Sequence, residues 1–150
     1  LDPVRDECFT AARGEGAHLD GTPLMPYAPG PTLGDCVAVV DFKRIPSARV
    51  APLFRPGGFR SQRNLGAVAL EGCWLAAGRF QLYLHGGQKL WDHAAGRLVA
   101  QEAGCTTALF APGGDKPTDG VALGKHLALA AANTGLYRQW LDFVGLPMQA

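Results

Sequence analysis

Short apolar runs, each the length of one strand or one helix, alternate along the chain with clusters of glycine, proline and charge. Residues Glu7 to Ala12 suit a short strand, Arg13-Gly14-Glu15-Gly16 a turn, and Ala17 to Leu19 the returning partner of a hairpin. Asp20-Gly21-Thr22-Pro23 reads as a second turn. Residues 22–35 hold four of the eleven prolines and predict an irregular connection. Cys36-Val37-Ala38-Val39-Val40 is a continuous apolar run rich in β-branched residues, which predicts a strand buried on both faces. A short helix is expected from Pro46 to Phe54, broken by Pro56-Gly57-Gly58, and a short strand over Phe59 to Gln62.

Leu65 to Ala77 is apolar almost all round, with Glu71 its only charge, the pattern of a helix enclosed between layers. Arg79 to Leu84 alternates like a strand, and Gly86-Gly87 is expected to end it. Trp91 to Ala103 reads as a helix with Trp91, Ala94, Ala95, Leu98 and Val99 on its inner face and Gly104 as its stop. Thr106 to Phe110 predicts a strand, Ala111 to Gly120 a loop, and Leu127 to Ala132 a buried strand. A closing amphipathic helix over Asn133 to Phe143 turns Leu136, Trp140 and Phe143 inward. Strands alternating with helices indicate a layered α/β sandwich with the strands near 36–41, 79–84, 106–110 and 127–132 in one sheet. No internal repeat is visible.

Composition narrows the class. The 150 residues are one domain's worth; 47% are hydrophobic and 18% charged, a globular balance. Fourteen basic and thirteen acidic residues leave a formal charge of +1, with no pull toward nucleic acid or an anionic membrane. No apolar stretch reaches the roughly 18–20 residues of a membrane span, and no segment reads as a signal peptide. The four cysteines, at positions 8, 36, 73 and 105, form no CxxC pair; Cys36 and Cys73 lie in apolar runs and read as buried free thiols, which fits a reducing cytoplasm. The chain opens on Leu1-Asp2-Pro3 without an initiator methionine and is expected to be a segment of something longer.

The segment richest in chemistry is Tyr83-Leu84-His85-Gly86-Gly87-Gln88-Lys89-Leu90-Trp91-Asp92-His93-Ala94-Ala95-Gly96. A strand, a glycine-rich stretch and a helix opening on an aspartate follow one another, and ligands of α/β sheets bind beyond the carboxyl ends of strands. Asp92 reads either as a helix cap or as a ligand-facing carboxylate, and Trp91 as packing.

Trp91-Asp92-His93-Ala94-Ala95-Gly96 with Glu102-Ala103-Gly104 is similar to the WDxAAG…EAGG signature of the inositol monophosphatase family. Arg63-Asn64-Leu65-Gly66-Ala67-Val68-Ala69 resembles the family's R-x-x-G-S/T-A-A helix start. Leu75-Ala76-Ala77-Gly78-Arg79 resembles its turn into the next strand, and Asp2 to Ala12 with Gly14 and Gly16 its strand pair. The likeness runs from about residue 2 to residue 145.

The resemblance implies the C-terminal half of a layered αβαβα sandwich of the sugar phosphatase type. It also implies hydrolysis of a phosphate monoester with two or three Mg²⁺ ions. Asp92 is the metal ligand it carries over, with Gly66, Ala67, His85 and Arg44 as substrate-binding positions and no residue assigned to catalysis. The family's upstream D-P-I/L-D-G-S/T motif is not matched here; Asp20-Gly21-Thr22 imitates its end and reads as a turn. His85 stands where inositol-hydrolysing members carry glutamate; it reads either as a donor to a substrate hydroxyl or second acidic group, or as a histidine without a ligand. Arg44 reads either as a partner for a ligand phosphate or carboxylate, or as a solvated side chain. The implied partners are a small phosphorylated sugar, polyol or nucleotide and a second copy of the chain, with neither nucleic acid nor membrane. The two competing functions are a phosphatase that is inactive in these 150 residues alone and a non-catalytic binding or assembly module that kept the fold.

Overall fold

The computed structural model describes residues 1–112, 116–119, 121 and 123–147. A small antiparallel sheet comes first: β1 (Phe9–Ala11), β2 (Ala17–Leu19) and β3 (Thr22–Pro23), in that order. The remaining strands are β4 (Val37–Asp41), β5 (Ser61–Arg63), β6 (Leu82–Gln88), β7 (Thr106–Phe110), β8 (Pro117–Thr118) and β9 (His126–Ala131). They form one six-stranded sheet in the order β5-β4-β6-β9-β7-β8. β5, β4 and β6 are parallel, whereas β9, β7 and β8 join antiparallel, so the sheet is mixed. The helices are α1 (Ser47–Val50), α2 (Val68–Ala76), α3 (Leu90–Glu102) and α4 (Thr134–Val144).

Period-two side-chain alternation divides the core. Ala38 and Val40 of β4, Leu82 and Leu84 of β6, and Leu127, Leu129 and Ala131 of β9 pack with Leu136, Trp140 and Leu141 of α4. Val39, Tyr83, Ala128 and Ala130 face the other way, onto Trp74 and Leu75 of α2 and Ala100 of α3. A third core joins Cys73 and Ala76 of α2 and Val99 of α3 to Ala17 of the small sheet. Four layers result: α4, the six-stranded sheet, the α2–α3 pair and the small sheet. β4 is therefore buried on both faces as its valines predict, and α2 is enclosed on two sides as its apolar circumference predicts. Glu102 ties the outer layer down: its Oε2 accepts the N–H groups of Gly14 and Gly16 at 3.0 and 3.1 Å.

Several expectations are corrected. Thr22–Pro23 pairs as β3 instead of remaining a turn. The 46–54 helix divides into α1 and a 3₁₀ turn over Ala51–Phe54, because Pro52 has no N–H to continue the α-helical ladder. α2 starts at Val68, not Leu65, since Gly66 takes a left-handed φ of +72° that no helix accommodates. β6 starts at Leu82 and runs through Gly86-Gly87 to Gln88, with an irregularity between His85 and Gln88. Neither glycine sits in the left-handed region; the Arg44 backbone lies against Gly86 and the Arg44 side chain against Gly87. The inner face of α3 is His93, Gly96, Val99 and Ala100, whereas Trp91, Ala94 and Ala95 are exposed. The expected 111–120 loop contains β8, and its residues 113–115 and 120 lie outside the described residues. The closing helix forms as read: the Asn133 side chain accepts the Leu136 N–H at 2.9 Å, and Gly145 ends it at φ +73°.

α2 and α3 touch at two glycines. A Cβ on Gly72 would stand 2.5 Å from the Gly96 carbonyl, whereas one on Gly96 would meet Ala69 O at 3.3 Å. Gly72→Ala is therefore expected to cost about 1–3 kcal/mol by forcing the helices apart, and Gly96→Ala distinctly less. Urea denaturation of the two variants checks the ranking; equal midpoints would contradict this packing.

Candidate functional site

β5, β4 and β6 are parallel neighbours, so their carboxyl ends open in one direction. Asp41 is the last residue of β4, Asn64 follows β5, and His85 pairs in register with Asp41. The first turns of α2 and α3 complete the wall. These elements enclose an open cleft of ≈ 470 Å³ lined by Asp41, Lys43, Arg44, Asn64, Gly66, Val68, Glu71, His85, Gly87 and Asp92.

Four of the five residues singled out in the sequence meet there: Arg44, Gly66, His85 and Asp92. Asp92 is the third residue of α3, and its Oδ2 accepts the Lys89 N–H at 2.9 Å. Cap and cleft-facing carboxylate are thus the same residue, with Oδ1 holding no hydrogen bond to the chain among the described residues. Ala67 does not line the cleft; it packs toward the core of Trp74 and Leu75. Trp91, on the first turn of α3, is exposed, with the Lys89 Nζ 4.9 Å from its ring centre.

His85 is not at a loop mouth. It sits within β6 and is 3% exposed. Its Nδ1 accepts the Gly87 N–H at 3.2 Å, which leaves the proton of the neutral ring on Nε2, and Nε2 lies 3.3 Å from Asp41 Oδ2. Burial holds its pKa below the usual histidine value; Asp41 opposes that shift and Arg44 adds to it. Asp41, itself buried, accepts the Lys43 N–H on Oδ1 at 3.0 Å and pairs with Arg44 Nη1 through Oδ2.

Sequence reading passed over Asp41 and Glu71. Glu71 is 2% exposed, and its Oε2 accepts the Tyr83 hydroxyl at 2.7 Å, while Gln88 Nε2 donates to the same hydroxyl at 2.6 Å. Burial raises the Glu71 pKa above the ordinary carboxyl value and the Asp41 charge raises it further, against the Tyr83 hydrogen bond. The available signals were a lone charge on an otherwise apolar helix, which must find a partner, and an acid closing a valine-rich strand. Among the described residues, no three His, Cys, Asp or Glu side chains converge to hold a metal ion.

A family model described as the inositol monophosphatase family matches residues 1–142. The chain belongs to that family. It is 36% identical over 137 residues to the Nus factor SuhB of Pasteurella multocida, a match covering 87% of this chain and 48% of that protein. It is 35% identical over 128 residues to inositol monophosphatase 1 of Solanum lycopersicum, covering 77% of this chain and 44% of the relative. The chain spans about half the length of the curated relatives it matches. In fold it is similar to the extragenic suppressor protein SuhB of Bartonella henselae, with a TM-score of 0.80 and 24% identity over 99% of this chain and 56% of the other. An inositol monophosphatase II structure from Staphylococcus aureus, described as inositol monophosphate bound, matches with a TM-score of 0.73 and 22% identity over 97% of this chain and 55% of that one. These likenesses bear out the layered α/β architecture read from the sequence.

The buried Glu71 gives a pH signature. A carboxyl whose folded pKa is raised contributes full stability below its unfolded value, 4.5, and loses that contribution as pH rises through the folded pKa. Glu71→Gln removes this loss. The variant's Tm relative to the unmodified protein is therefore expected to climb as pH rises above 4.5. A difference that stays constant with pH would refute a buried, reluctantly ionised Glu71.

Proposed function

We propose that this chain is part of a magnesium-dependent phosphate monoester hydrolase acting on a small phosphorylated sugar, polyol or nucleotide. The observation that carries the reading is Asp92, placed on the first turn of α3 and facing a cleft at the carboxyl ends of three parallel strands. Family membership and the phosphorylated ligands named for the Staphylococcus aureus inositol monophosphatase II structures, inositol monophosphate and 2′AMP, support it.

The donor set fits one corner of a Mg²⁺ site. Asp92 has an uncommitted hard oxygen, which Mg²⁺ accepts. Asp41 has both oxygens engaged within the chain, and Glu71 is enclosed with Tyr83 and resists ionising. Mg²⁺ held at Asp92 would polarise the phosphate and acidify a bound water. The chain's own residues do the rest of the positioning. Gly66 lines the cleft without a side chain, and the His85–Asp41 contact fixes the wall beneath Arg44. One free carboxylate oxygen is too few for a two-metal mechanism, so these 150 residues alone are inactive in this reading.

Buried free thiols at Cys36, Cys73 and Cys105 support a cytoplasmic setting. In this reading the chain works as a homodimer, and Met25, Tyr27, Phe54 and Leu65 are among its exposed apolar side chains. No described helix is long and apolar enough to cross a membrane. Relatives named as Nus factors favour a second reading, an assembly module working through contacts alone.

Phosphate release by the full-length gene product separates the two readings. Mg²⁺-dependent turnover is expected. Asp92→Asn should lower kcat/KM at least about 100-fold, because metal-borne charge stabilisation is worth several kcal/mol and each ~1.4 kcal/mol is tenfold. Absence of turnover, or full activity of Asp92→Asn, would favour the assembly module or displace Asp92 from the site.

A further inference from the structure

His93 of α3 and His126 of β9 meet ring to ring outside the cleft. Gln88, the last residue of β6, pairs in register with His126, the first residue of β9. α3 begins two residues after Gln88 and buries His93 on its inner face, so the two rings come together at the start of that helix. Their centroids are 5.6 Å apart with the planes at 87°. The two residues are only 5% and 4% exposed.

A buried imidazole ordinarily finds a partner for its nitrogens. Here Nδ1 and Nε2 of His93 and Nδ1 of His126 have no hydrogen-bond partner in the chain. Arg97, one turn further along α3, does not supply one: its Nε donates to Thr107 Oγ1 at 3.3 Å and its Nη1 to the Asp119 carbonyl at 3.0 Å. Three unpartnered nitrogens on two facing rings are the densest group of unmet polar atoms among the described residues. Packing alone does not account for them, since a leucine at either position would fill space without stranding a nitrogen.

One ion held by both rings does account for them. A metal about 2.0–2.1 Å from an imidazole nitrogen lies roughly 3.2 Å from the ring centre, which sets two imidazoles on a tetrahedral ion about 5.2 Å apart, centre to centre. The observed 5.6 Å is a small side-chain adjustment away. No third His, Cys, Asp or Glu converges there among the described residues, so water must complete the coordination. A cavity of ≈ 30 Å³ beside His93, lined also by Gln88, Asp92, Arg97 and Thr107, has room for it. Neutral imidazole suits Zn²⁺, Cu²⁺ and Ni²⁺, whereas Mg²⁺ takes hard oxygen ligands.

We infer that His93 and His126 form a binding site for one transition-metal ion of the Zn²⁺ class, with the two imidazoles and water as its ligands. Neither histidine is used by the phosphatase reading of the cleft. A bound ion would cross-link the start of α3 to β9, one residue from Asp92.

Calorimetric titration of the full-length gene product with ZnCl₂, together with thermal melts, tests this. The unmodified protein and Asp92→Asn, which lacks the proposed Mg²⁺ ligand, are both expected to bind Zn²⁺ and to melt higher in its presence. His93→Leu and His126→Gln should each bind one equivalent fewer, or bind it at least about tenfold more weakly, and lose that gain in Tm. With Cu²⁺ in place of Zn²⁺, the electron paramagnetic resonance spectrum should show two coordinating nitrogens in the unmodified protein and fewer in either variant. Should one variant fail to fold, the other decides. Zinc binding unchanged in the folded variants overturns the inference, and so does a loss confined to one of two folded variants. Loss of the same equivalent in Asp92→Asn would put the ion in the cleft and overturn it as well.

Discussion

β4 and β6 lie side by side in parallel with Asp41 opposite His85, and the architecture of the cleft depends on that register. Parallel pairing sends the carboxyl ends of β5, β4 and β6 the same way, so residues far apart in sequence meet at one edge. The same strands are buried on both faces. Alternate side chains of β4 and β6 feed the core under α4 and the core under α2 and α3. A one-residue slip would exchange the two faces and separate Asp41 from His85. Packing that holds the fold therefore also holds the electrostatics of the cleft.

Burial works differently on the three acids around that cleft. Asp41 is buried but has a guanidinium and a backbone N–H as partners. Glu71 is buried with only neutral donors from side chains, Tyr83 directly and Gln88 behind it, and its ionisation is opposed. Asp92 is less enclosed and spends one oxygen on its own helix. Three carboxylates around one cleft thus divide into a charge that pairs with Arg44, a reluctant acid in the wall, and a carboxylate with one oxygen uncommitted toward the cleft.

The sequence was most legible where local rules and global packing agree. The valine run of β4, the largely apolar girth of α2 and the Asn133 and Gly145 boundaries of α4 all form as patterned. It misled where a distant contact overrode a local signal. Gly86-Gly87 looked like a strand end because glycine usually ends strands; here both make room for Arg44, more than forty residues earlier. The inner face of α3 was misassigned because Trp91, its largest apolar side chain, stands exposed. In the site, the motif around Asp92 led to the cleft directly. Asp41 and His85 could not be paired in advance, since only the β4–β6 register brings them together.

In the proposed reading Asp92 is the carboxylate offered to metal, while Asp41 and Glu71 are committed within the protein. A crystal structure of the full-length gene product soaked with Mn²⁺, read by anomalous scattering, tests it most directly. An anomalous peak within bonding distance of the Asp92 carboxylate, with Asp41 still paired to Arg44 and Glu71 to Tyr83, is the expected result. A peak bonded to Asp41 or Glu71, or one away from Asp92, would contradict the account.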